Sequence, residues 1–180
     1  MSIFEDARVT IVLADHIGID LGGKANLLGA GFTVSVVGPQ GLSAPQHMLI
    51  LVDLPSNHAG AEFALSAELK DETLGAPFKI VGPNGSPEVL RIQQIVRGAR
   101  PSVQNAYLPL DLPVRVQLNI SFANGLPLVP GHSYLWKIEI DGQHRKGWET
   151  GFHVLGPPPA PVFGGPSGPA DLPQLGPRTQ

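Results

Sequence analysis

Residues 113–122, PVRVQLNISF, alternate apolar and polar side chains almost without fault. Val114, Val116, Leu118, Ile120 and Phe122 fall on one side. Arg115, Gln117, Asn119 and Ser121 fall on the other. A helix rotates its side chains with a period of 3.6 and cannot gather that set on one face, whereas a strand with one dry and one wet face does. Residues 133–141, SYLWKIEID, repeat the pattern, with Tyr134, Trp136, Ile138 and Ile140 inward and Lys137, Glu139 and Asp141 outward. Residues 61–70, AEFALSAELK, place Phe63, Leu65, Ala67 and Leu69 inside. Helix formers are common in that segment, but the period of two outweighs propensity.

Further strands are expected at 7–14, 25–37, 46–54 and 147–155. Asp141-Gly142 between two strand-like runs is a strong hairpin signal, because both turn positions tolerate positive φ. GPQG at 38–41, Gly82–Gly85 and Asn124-Gly125 mark other turns. Gly29 and Gly31 inside the expected strand 25–37 point to a bulge or a close backbone approach. Residues 86–98 leave two readings open. Ser86, Pro87 and Gly98 could cap, start and stop a helix, while Leu90, Ile92 and Val96 fit a strand interrupted at Gln94. With 22 Gly and 19 Pro among 180 residues, about double the average share, long helices are not expected. The expectation is an all-β fold: an antiparallel, immunoglobulin-like β-sandwich of seven to eight strands over 7–155. Domain 1–155 is followed by a Pro/Gly-rich extended tail, 156–180, with 8 Pro and 5 Gly in 25 residues. Proline cannot donate to a sheet ladder, so this segment reads as extended, with polyproline II stretches near PPPAP.

Charge and cysteine content exclude several functions. A net charge of −3 is wrong for a nucleic-acid binder that must neutralise phosphates. Without cysteine there are no disulfides, thiolate metal sites or cysteine nucleophiles. Glu5 and Asp6 precede the first apolar stretch, unlike the basic start of a signal peptide. Residues 25–52 carry no Asp, Glu, Lys or Arg, but six Gly and Pro break that run, so no membrane span is expected there.

Motifs for chemistry are weak. His16, His47, His58, His132, His144 and His153 show no HxH or HExxH spacing. His132 and His153 lie on opposite arms of the Asp141-Gly142 hairpin and could approach each other. Gly18, Gly23 and Lys24 have phosphate-loop spacing, but Ala25 stands where Ser or Thr is needed, so GGK reads as a hairpin turn. No GxSxG lies between a strand and a helix. Asp15 and Asp20 are too sparse for calcium. Glu149, beside Trp148 and Arg145-Lys146, reads as a solvated hairpin, while Trp148 itself and Phe152 read as inner-face residues. No catalytic, cofactor or metal residue is assigned, and no cofactor is expected.

Pro130-Gly131, Tyr134, Trp136, Ile138, Ile140 and Asp141-Gly142 form a pattern found in bacterial sandwich domains. Together with Lys24, Asn26, Leu27, Gly29, Gly31 and Phe32, it resembles a family of uncharacterised β-sandwich proteins of actinobacteria and their phages. The resemblance spans roughly 7–154 and implies a fold, not an activity. The expectation that follows is a non-enzymatic structural or interaction protein of a bacteriophage virion. It would decorate or cement the capsid, or serve as a minor head or tail protein, with a capsid or other virion protein, or further copies of itself, as partner. The tail, left alone, is a disordered end. Held by a partner, it would be anchored through Pro157, Pro158, Pro159, Val162, Phe163, Leu172 and Leu175, because apolar burial is the strong grip such a peptide offers. The alternative is a cytoplasmic binding module with a loop-end pocket built from Asp15, Asp20, Asn57, His58, Asn84 and Gly85.

Overall fold

The computed structural model describes residues 2–99 and 111–156. Among these, thirteen strands carry nearly all the regular structure: β1 (Arg8–Ala14), β2 (His16–Ile19), β3 (Ala25–Leu28), β4 (Val34–Val36), β5 (Gln46–Leu54), β6 (Glu62–Asp71), β7 (Ala76–Pro77), β8 (Lys79–Val81), β9 (Pro87–Val89), β10 (Arg91–Arg97), β11 (Val114–Phe122), β12 (Ser133–Ile140) and β13 (Gln143–Leu155). A four-residue helix, α1 (Ile3–Asp6), precedes them, and a 3-10 turn at Ser56–His58 follows β5. The fold is all-β, as the alternation requires.

One sheet has the order β1-β5-β11; the other has β10-β6-β12-β13-β4, with β7 beside β6. All pairs are antiparallel except β13 with β4, which run parallel. The inward positions of β5, β6, β11 and β12 form one continuous core between the sheets. Trp136 of β12 stacks on Phe122 of β11 across that core, with ring centroids 5.3 Å apart. Removing a buried ring of this kind costs about 3–5 kcal/mol.

Two of the chain's passages between the sheets are marked by close backbone approaches. At one, the Gly31 N–H donates to the Leu13 carbonyl (2.8 Å) just before β4 joins the larger sheet. At the other, Ala99 bridges Arg115, and the Cβ of any other residue at Gly98 would press on Val114. Asp141 and Gly142 have φ of +50° and +74° and join β12 to β13 in the two-residue turn expected for Asp-Gly. The Asp141 carboxylate and N–H both engage the backbone of Ala64, at 2.8 Å each, tying the turn to β6.

Three expectations are revised. The single strand expected at 25–37 is two, β3 and β4, because Gly29 and Gly31 take positive φ and turn the chain from the β2–β3 hairpin to the larger sheet. The strand count exceeds eight because that break and the short β2–β3 and β8–β9 hairpins add elements outside the alternating runs. The strand expected at 147–155 begins at Gln143 and bulges between His144 and Glu149. Of the two readings for 86–98, the strand holds, broken at Leu90 into β9 and β10.

Gly125 and Gly142 separate two roles of glycine. Both have positive φ, but a Cβ at Gly142 meets open space, whereas one at Gly125 runs into the Ser43 carbonyl. Gly142→Ala should cost about 1 kcal/mol, and Gly125→Ala about 3 kcal/mol or more. Urea denaturation of the two variants measures this, and equal losses would show that the approach to Ser43 does not matter.

Candidate functional site

Exposed apolar residues gather in two places, with Leu74, Val81, Val89, Ile95 and Val129 exposed elsewhere. The β2–β3 hairpin lies on the outer face of the smaller sheet, where Ile17 packs with Ala14 and Leu49 in a second small cluster. Its tip is stiff: the Asp20 carboxylate accepts the N–H groups of Gly22 and Lys24, both at 2.8 Å. That stiff tip presents Leu21 fully to solvent beside the exposed Ile19, and Leu28 is exposed at the base of the hairpin. The second place is β4, the open edge of the larger sheet. Val34 and Val36 are 47% and 50% exposed, and Leu155, paired with Val36, is 48% exposed.

Polar chemistry concentrates at the two ends of the sandwich. At one end Asp71 falls on the inward parity of β6 and is 3% exposed. An ionised carboxylate there needs partners. His132 Nδ1–H donates to it at 2.7 Å and the Leu74 N–H at 3.0 Å. Burial pushes the Asp71 carboxyl up, but the hydrogen bonds from His132 and from backbone N–H groups, with the His132 charge, outweigh it and hold the group below its ordinary 3.8. His132 also stacks on Tyr134, whose hydroxyl, raised above 10.0 chiefly by burial, accepts the Val129 N–H.

At the other end, α1 is pinned to the sandwich. Asp6 accepts from His58 Nε2–H at 2.8 Å. Phe4 meets Trp148 edge-on at 5.2 Å. Arg145 lies over both rings, its guanidinium carbon 4.9 Å and 5.4 Å from their centroids, and its Nη2 donates to the carbonyls of Phe4 (3.1 Å) and Glu5 (3.2 Å). A groove of about 470 Å3 opens beside them, lined by Glu5, Asp6, Arg8, Asp53 and Arg145 with Leu54, Pro55 and Pro113.

The loop-end pocket expected from the sequence does not form as a unit. Asp15 follows Ala14, which pairs with the start of β5 at His47, while His58 lies beyond the other end of β5 and bonds Asp6. Asn84 and Gly85 sit in the turn of the separate β8–β9 hairpin, and Asp20 in that of β2–β3. His132 and His153 are close in the ladder but on opposite faces, because His153 pairs with Ser133. His153 bonds the Ser133 hydroxyl and His132 bonds Asp71. Trp148 is buried, as its inner-face reading has it, but the solvated-hairpin reading around it is corrected: the bulge docks Arg145 on α1, and His144 sits between the Ile138 carbonyl and Glu149. The GGK segment is the hairpin turn expected. The tail anchors Pro157, Pro158, Pro159, Val162, Phe163, Leu172 and Leu175 lie outside the described residues. Among the described residues no three His, Asp or Glu side chains gather as a metal site, and no helix is long and apolar enough to cross a membrane. Sequence reasoning missed Asp71 and α1; the inward parity of Asp71 was its signal.

No protein-family model and no curated protein matches the chain. Among solved structures, the chain shows a faint likeness to a Pseudomonas fluorescens alkylpurine DNA glycosylase, AlkC, bound to DNA containing an abasic site analog. Identity is 8% and the TM-score 0.30, over 81% of this chain. The aligned part spans 30% of the length of that glycosylase, and at this score the likeness carries no argument.

The Asp71–His132 contact sets a pH dependence. A carboxyl whose folded value lies below its unfolded value stabilises fully above the unfolded value, and that contribution vanishes as pH falls through the folded one. Asp71→Asn should therefore cost about 2 kcal/mol at neutral pH, with the gap to the wild type narrowing as pH falls below 3.8. Thermal or urea unfolding across pH 2–7 tests it. A gap that stays constant with pH would remove the carboxylate charge as the cause.

Proposed function

We propose that this chain is a non-enzymatic structural protein that attaches to a larger protein assembly, and that the assembly is a bacteriophage virion, as its resemblance implies. The observation that carries the attachment is the unequal treatment of the two edges of the larger sheet. Proteins blunt open edges with charge to prevent unwanted pairing. Edge strand β10 sets its exposed Ile95 between Arg91 and Arg97, whereas edge strand β4 reads Val-Ser-Val with both valines half exposed and no charge. An uncharged apolar edge is suited to receiving an extended segment or a flat surface from a partner. The stiff hairpin tip with Leu21 adds a second contact whose ordering cost is small, because Asp20 already holds it. Repeated copies on a lattice would make such modest contacts sufficient through avidity. The anchors expected in the tail, Val162, Phe163, Leu172 and Leu175, would act in the same way.

Sedimentation of a native particle preparation, with mass spectrometry of the heavy fraction, tests the assembly. The chain should travel with a major coat protein at a fixed copy ratio. Val36→Lys, which leaves the core untouched, should lower that ratio about tenfold or more. Recovery only in the light fraction at the monomer mass of 19.0 kDa would end the virion reading, and full retention of the lysine variant would end the role of the edge.

A further inference from the structure

The groove beside α1 has a charge arrangement that the fold itself does not use up. Three carboxylates line it, and two are already committed. Asp6 is held by His58. Asp53 is gripped by Arg115 through both oxygens, at 2.6 and 2.9 Å. Arg8 is the neighbour of Asp53 on the opposite strand and competes for the same carboxylate without obtaining it. Among the described residues the Arg8 side chain makes no hydrogen bond or ion pair, and Arg145 meets no carboxylate. Its Nη2 is engaged by the two α1 carbonyls, and the stack on Phe4 and Trp148 fixes the plane of the guanidinium, while its Nε and Nη1 make no bond among the described residues. Glu5 remains the one uncommitted acid, and it is exposed. Leu54, Pro55 and Pro113 supply an apolar wall.

We propose that this groove binds a small organic oxyanion, its carboxylate or phosphate head held by Arg8 and Arg145 and its apolar body against Leu54, Pro55 and Pro113. Guanidinium forks match two-oxygen heads, and a guanidinium already locked in orientation loses little freedom when it binds one. The volume of about 470 Å3 is that of a small-molecule site. This goes beyond the attachment role and is independent of the β4 edge and the β2–β3 hairpin.

Benzoate and phenyl phosphate distinguish the two head groups, with inorganic phosphate as the bodiless control. Titration into the full chain is read by Trp148 emission and, in parallel, by the Trp148 indole N–H resonance. The expected result is saturable binding of one or both aromatic anions, at least tenfold tighter than inorganic phosphate and weakened by added salt. Arg8→Gln should weaken it about tenfold or more without disturbing the fold, since Arg8 holds nothing among the described residues. Glu5→Gln should tighten it, and Lys146→Gln should leave it unchanged. Absence of saturable binding by either probe, or equal affinity in Arg8→Gln, would overturn the proposal.

Discussion

Trp136 and Phe122 meet face to face between the two sheets, 5.3 Å apart, and the arrangement of the chain serves that contact. β12, which carries Trp136, lies between β6 and β13 with every inward side chain 1% exposed or less. Its alternation is meaningful only if an opposing sheet supplies an equally regular apolar face, which β5 and β11 do. The ends of the sandwich must then be closed by other means. Phe78, Tyr134 and Phe152 do so at one end through ring contacts of 5.4–5.8 Å. At the other end, α1 lays Phe4 on Trp148.

The polar surface of the larger sheet is largely self-contained. Arg91 bonds Glu139 at 2.6 Å and Ser66 at 3.1 Å, and Lys137 bonds the other oxygen of Glu139 at 2.9 Å. Burial pushes the Glu139 carboxyl up, but the bonds and charges of Lys137 and Arg91 outweigh it and hold it below 4.5. Exposed pairs of this kind add little stability, on the order of 1 kcal/mol or less. Their effect is to pair the charges at the centre of that face, while Ile95 and Arg97 stand exposed toward its β10 edge. Further unmatched features are the valines of β4, Leu21, and the two arginines beside α1.

Periodicity exposed the fold where one face of a strand is wet. β6, β11 and β12 were legible because polar residues report the outward parity, and β12–β13 because Asp-Gly permits one tight turn. The division of 25–37 was less legible, since Gly29 and Gly31 could mark a bulge or a change of sheet and only the pairing partners decide. α1 was invisible: four residues cannot show a helical period, and the helix is held by Arg145, some 140 positions away. Of the candidate site, Asp71 was legible in principle from its inward parity, but His132 as its partner required the fold. The exposure of Val34, Val36 and Leu21 could not be read from composition, because an apolar residue at the surface and one in a core are the same letter.

The charge-free run from 25 to 52 joins these observations. From Gln46 onward, burial explains it, since β5 is the middle strand of its sheet and is covered on both faces, by the core and by the β2–β3 hairpin. Before Gln46 burial does not explain it. Leu27, Leu28, Val34, Val36 and Leu42 all stand at the surface, where lysine or glutamate would improve solubility without disturbing the core. Nothing in the packing among the described residues requires those residues to be apolar. The proposed contact with a partner would, because apolar area removed from water at an interface stabilises association just as it stabilises a core.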